Sequence, residues 1–130
     1  MYSLSQNYGA KFMPVWAFTL ASWLDKEIEV KLFDTQVINY KNISDADIFL
    51  FSGINQDLNF IKETHQYLKK RYPNKLFIIG GPICWSLHKS GDIDVLNEFD
   101  HICVGDGELI LPNLLEKISQ QSKIPQLIIE

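Results

Sequence analysis

Four short apolar runs, each closed by a polar or glycine-rich turn, decide most of what this chain can fold into. They occupy residues 28–33, 47–51, 76–79 and 101–104 and are rich in β-branched and aromatic side chains. A strand with one wet face alternates apolar and polar residues, whereas three of these runs are apolar nearly throughout and only 28–33 is interrupted, by Glu29 and Lys31. Such strands are covered on both faces, as in a parallel sheet between two helical layers.

Helical patterns fill the gaps. Residues 14–24 carry Trp16, Leu20, Trp23 and Leu24 at helical spacing, with Pro14 in a tolerated first-turn position. Residues 57–72 place Leu58, Ile61, His65 and Leu68 on one stripe, and Pro73-Asn74 stops the helix. A shorter helix is expected over 92–99, and another over 108–119 presents Leu111, Leu114, Leu115 and Ile118. Strand and helix alternate about every 25 residues, which right-handed crossovers resolve into a doubly wound, flavodoxin-like (Rossmann-like) parallel sheet with helices on both faces. The first strand is short or missing, because residues 1–4 are the only candidate. Residues 1–123 read as one domain. Residues 124–130, which include Pro125-Gln126-Leu127-Ile128-Ile129-Glu130, read as the first half of a hairpin or a linker, so the chain reads as a piece of something longer.

Charge and cysteine usage narrow the function classes. The formal net charge is −4, and Lys69-Lys70-Arg71 is the only dense basic run, which gives nucleic-acid binding little electrostatic support. No apolar run approaches the ~18 residues of a membrane span, and the first residues lack a secretory pattern, so a cytoplasmic location is expected. Cys84 and Cys103 belong to no C-x2-C pair; a disulfide framework and a zinc site are unsupported, and both are expected as buried or half-buried free thiols.

In an open parallel sheet, ligands bind outside the carboxyl ends of the strands. The residues to watch are therefore Ser52-Gly53-Ile54-Asn55, Gly80-Gly81-Pro82 and Gly105-Asp106-Gly107-Glu108. The glycine pair suits either a tight turn or close approach of backbone to a bulky ligand. Ser52 and Asn55 suit helix capping, as do Asp106 and Glu108 at the start of the last helix.

As an ordered set, "KLFD", "ADIFLFSGINQD", "FIIGGPICWS", "FDHICVGDGE" and "IPQLIIE" resemble the N-terminal cobalamin-binding domains of radical S-adenosylmethionine enzymes. The resemblance runs from about Pro14 to Ile129. It implies that Ser52, Gly53, Ile54 and Asn55 meet the cofactor's nucleotide tail and that Gly80, Gly81 and Pro82 line the tail pocket. Gly105, Asp106, Gly107 and Glu108 match the family's "GEGE" loop, with Asp106 in place of its first Glu.

The loop from Ser5 to Gly9 lacks the D-x-H-x-x-G motif that many cobalamin domains carry, so cobalamin without an axial protein histidine is expected. His65, His88 and His101 sit elsewhere. The resemblance places the 4Fe–4S cluster and S-adenosylmethionine in a radical S-adenosylmethionine catalytic domain of the same polypeptide, outside this sequence. No catalytic machinery is expected in the chain itself. The competing reading is a degenerate, non-binding scaffold or interaction domain of the same enzyme class, presenting Trp85 and the "INQD" loop. A signalling receiver fits poorly, since Ser52 and Gly105 stand where its phospho-accepting Asp and its Lys would be, and a flavodoxin fits poorly, since Ser3-Leu4-Ser5-Gln6-Asn7 lacks the turn glycine of a phosphate loop.

Overall fold

The computed structural model describes residues 2–3, 33–34 and 39–130. The helix expected over 14–24, most of the strand expected over 28–33 and the Ser5-to-Gly9 loop lie outside the described residues.

Four strands form one parallel sheet in sequence order: β3 (Ile48–Ser52), β4 (Leu76–Gly80), β5 (His101–Val104) and β6 (Leu127–Ile129). Three helices connect them, α1 (Leu58–Arg71), α2 (Pro82–Ser90) and α3 (Gly107–Ser119). The architecture is the α/β, flavodoxin-like class expected from the apolar runs. Before it come β1 (Tyr2–Ser3) and β2 (Phe33–Asp34), which pair antiparallel in a separate two-stranded sheet. The described end of the 28–33 run, Phe33, pairs with Ser3 in a ladder only two residues long, and the rest of that run lies outside the described residues.

Period-two alternation sorts the side chains onto two buried faces. Phe49, Phe51, Phe77, Ile79, Ile102 and Val104 pack with Ile61 and Leu68 of α1 and with Ile83, Cys84 and Leu87 of α2. On the opposite face Ile78 and Cys103 pack with Ile110 and Leu114 of α3. The first face is aromatic at its centre: the rings of Phe49 and Phe77 stack at 5.1 Å, and His65 lies near-parallel to Phe99 at 4.1 Å. Among the described residues no helix is long and apolar enough to cross a membrane.

The helix boundaries follow local chemistry. Three basic residues close α1 where the macrodipole favours cations. Gly81, at φ +88°, turns the chain out of β4, and Pro82 opens α2 where a missing N–H costs nothing. Gly91, at φ +83°, ends α2 in the left-handed region. The stretch after Gly81 is therefore helix where a loop was expected. The helix expected over 92–99 contracts to a 3-10 turn, Ile93–Leu96, between that C-cap and β5.

The last seven residues supply a strand of the same sheet: β6 adds to β5 in parallel register, Ile102 opposite Leu127 and Val104 opposite Ile129. Polar contacts hold it there: Gln126 Nε2 donates to the carbonyls of Asn97 and Phe99, and the His101 ring bonds the Pro125 carbonyl at 2.9 Å.

Phe77 is 1% exposed and touches the rings of Phe49, Phe51 and His65. Phe77→Ala is predicted to lower stability by about 3–5 kcal/mol, the usual range for a buried phenylalanine. Urea unfolding followed by circular dichroism measures it, and a loss below about 1 kcal/mol would contradict this packing.

Candidate functional site

The carboxyl ends of β3 and β4 coincide because Ser52 is the register partner of Gly80. Their loops start side by side and are tied together: the Ile83 N–H donates to the Gly53 carbonyl at 2.9 Å, and the Asn55 amide donates to Ser86 Oγ at 2.8 Å. Asn55 thus holds the β3–α1 loop to α2 and does not cap a helix. Asp57 stands at the N-cap of α1 without a side-chain bond to that helix; its carboxylate accepts the Ile54 N–H at 3.0 Å and closes the short 3-10 turn Asn55–Asp57.

The four glycines have different physical reasons. At Gly81 the positive φ and the Ser52 hydroxyl both exclude a side chain, since a Cβ would collide with Ser52 Oγ. At Gly53 a Cβ would lie 2.8 Å from Asp57 Oδ2 and 2.9 Å from Ile61 Cδ1. At Gly105 (φ +131°) it would crowd Glu130 and Ile110 at 3.2–3.3 Å. Gly80 differs. Its φ is not positive, and a Cβ there would meet only Cys103, at an ordinary 3.7 Å and beyond.

Ser52, Gly53, Gly80 and Gly81 therefore form one contiguous unit. Gly105 leaves from the same edge of the sheet but packs toward β6, where the Glu130 N–H donates to the Val104 carbonyl. Pro82, Gly105 and Asp106 are exposed, Ile54 is 49% exposed, and Gly107 is half-buried at the start of α3. Asp106 occupies the N-cap of α3, yet its backbone carbonyl, not its carboxylate, accepts the Leu109 and Ile110 N–H groups. The side chain of Glu108 lies outside the described residues.

Both cysteines lie beside this edge, Cys84 in the first turn of α2 and Cys103 next to Gly80, but as buried thiols. Burial pushes the Cys84 thiol up to about 12 and the Cys103 thiol up to about 11, so neither is a thiolate near neutral pH. His65 is buried under the sheet, His101 is bonded to Pro125, and His88 sits in the last turn of α2. Among the described residues no three His, Cys, Asp or Glu side chains group as metal ligands. Sequence reasoning missed one concavity, a groove of about 290 Å³ between α3 and β6 lined by Leu109, Ile110, Leu114, Ile124 and Ile128. Its signal was available in the apolar residues that flank Pro125.

The different roles of adjacent glycines give a prediction. Gly81→Ala should cost about 1–3 kcal/mol through backbone strain and the clash with Ser52. Gly80→Ala should be neutral or stabilising by up to about 1 kcal/mol, as for a glycine in a strand. Thermal unfolding of both variants checks the order, and a reversal would mean that the turn is differently built.

No protein-family model and no curated protein matches the chain. Among solved structures, the chain is similar to the N-terminal domain of the hypothetical protein TM0182 of Thermotoga maritima. The two share 21% identity and a TM-score of 0.52, and the match covers 100% of each chain. At that identity the likeness concerns the fold: this arrangement of strands and helices is shared with a domain of a second protein.

Proposed function

We propose that the chain is the cobalamin-binding domain of a radical S-adenosylmethionine enzyme of methyltransferase type. The nucleotide tail of the cofactor lies against the carboxyl edge between Ser52-Gly53 and Gly80-Gly81. The observation that carries this reading is Gly80, a glycine at a strand end that neither backbone conformation nor close packing requires. A missing side chain beside Ser52 leaves a cradle that a ligand's tail can use.

The residues fit a slender, largely van der Waals contact better than a phosphate clamp. Gly81 caps α2, Pro82 has no N–H, and the next two amides are already committed, Ile83 to Gly53 and Cys84 to Gly81. Ser52, Gly53 and Gly80 would hold the tail, with Ile54, Asn55, Pro82 and the Gly105-Asp106-Gly107-Glu108 loop at the rim. When bound, cobalamin supplies a cobalt centre able to carry an alkyl group. This chain would hold it through the Ser52-Gly53 and Gly80-Gly81 loops and would offer it none of His65, His88 and His101, which lie elsewhere. The 4Fe–4S cluster and S-adenosylmethionine belong to the catalytic domain that is its partner in the same polypeptide, in the cytoplasm.

A second reading has its own observation. Trp85 is 55% exposed on the outer face of α2, with Lys89 Nζ 4.8 Å from its ring, and the α3–β6 groove lies beside Gly105, not at the Ser52-Gly53 and Gly80-Gly81 loops. Those features favour a scaffold that presents a surface and binds no cofactor.

Hydroxocobalamin added to the protein, followed by desalting and visible spectroscopy, separates the two. The wild type should retain the cofactor. Gly80→Val should bind at least about tenfold more weakly, the effect of overfilling a packed site by one to two kcal/mol, with its melting temperature unchanged. Loss of cofactor from the wild type would establish the scaffold; equal retention by Gly80→Val would move the site off the glycines.

A further inference from the structure

Both ring nitrogens of His65 are buried without a hydrogen-bond partner, and the Oγ1 of its neighbour Thr64 is in the same state. The ring is 1% exposed and boxed by aromatic carbon: Phe99 at 4.1 Å, Phe77 at 4.9 Å and Phe51 at 5.9 Å between centroids. We propose that His65 is an acid-sensitive latch, whose protonation drives the ring out of this box and undocks α1 together with the loop that joins it to β3.

A neutral imidazole tolerates the box because stacking on Phe99 compensates part of its lost hydration. An imidazolium must find acceptors for two N–H donors, and the box supplies none. Its π faces attract a cation, but that attraction is smaller than the penalty of stripping an ion of water. The charged groups that act on the ring come from two elements. Lys69, one turn along α1, repels a cation, while Glu98 and Asp100, in the segment before β5, attract it. Asp100 already accepts the Phe77 N–H through its carboxylate. The neighbours from β3 and β4 are the phenyl rings of Phe51 and Phe77. Burial and Lys69 together hold the His65 pKa below its ordinary value. His101, by contrast, is buried with an acceptor in place, the Pro125 carbonyl.

The consequence for stability has a definite sign. Above about pH 6.5, the unperturbed value, the ring is neutral whether docked or released. Below it the released ring binds a proton that the docked ring refuses, so the docked state loses ground as pH falls toward the depressed docked value. The coupling to the carboxyl edge is through packing. His65 shares its buried stripe with Ile61 and Leu68, and the Ile61 side chain fills the space beside Gly53, whose carbonyl holds α2. Release of α1 therefore loosens the Ser52-Gly53 side of the edge whatever binds there.

Amide hydrogen exchange on the whole chain between pH 7.5 and 5, corrected for intrinsic rates, tests the latch. In the wild type the open fraction of α1 should rise by up to about tenfold per pH unit below 6.5, the slope of a single proton. His65→Phe and His65→Leu, either of which suffices if the other fails to fold, should flatten the profile, while His88→Gln should retain it. An unchanged slope in a folded His65 variant overturns the proposal. So does a wild-type imidazole resonance that titrates near 6.5 while the α1 amides stay protected.

Discussion

The parallel register of β3 against β4 is the constraint from which the carboxyl edge follows. It places Phe49 opposite Phe77, where the rings stack, and in the same ladder sets Ser52 opposite Gly80. A slip of one residue would turn Phe49 and Phe51 away from α1 and part the two loops at once. Core packing and site geometry are thus one choice of register. Because both strands stop on the same line, α1 and α2 begin close together, and the Gly53 carbonyl meets the Ile83 amide without any side chain between them.

The parts of the fold written in the sequence are those where one signal dominates. Residues 102–104 are an unbroken apolar run behind His101, and His101–Val104 is fully buried. The Leu58-Ile61-His65-Leu68 stripe and Pro73 bound α1 to within a residue or two of its observed span. The stretch "GGPICWSLHKSG" carried competing signals. Its glycines read as loop, while Pro at a first helical turn and Gly nine residues later are the ordinary punctuation of a short helix. Residues 127–129 are legible as a strand, but their pairing with β5 is not, because a three-residue strand beside proline has no periodicity to identify its partner. The glycines of the candidate site were visible as residues but not as roles. Whether a glycine serves a positive φ, a close contact or an open cradle depends on a dihedral and on neighbours far along the chain, such as Ser52 for Gly81 and Glu130 for Gly105.

The connections also explain why the edge divides into two halves. Each crossover steps one strand in the same direction, from β3 to β4 to β5 to β6, yet α1 and α2 cover one face and α3 the other. The third connection therefore has the opposite hand to the first two. Since about 98% of such crossovers are right-handed, the β5–α3–β6 unit gains nothing from strand twist and has to be held by specific contacts. Those contacts are present: Gln126 to the Asn97 and Phe99 carbonyls, His101 to Pro125, and Glu130 to Val104. Gly105 belongs to this set, because its left-handed turn leaves room for Glu130. The Gly105-Asp106-Gly107-Glu108 loop thus owes its glycine first to the docking of β6, whereas Gly80 on the β3–β4 side owes its missing side chain to neither strain nor contact.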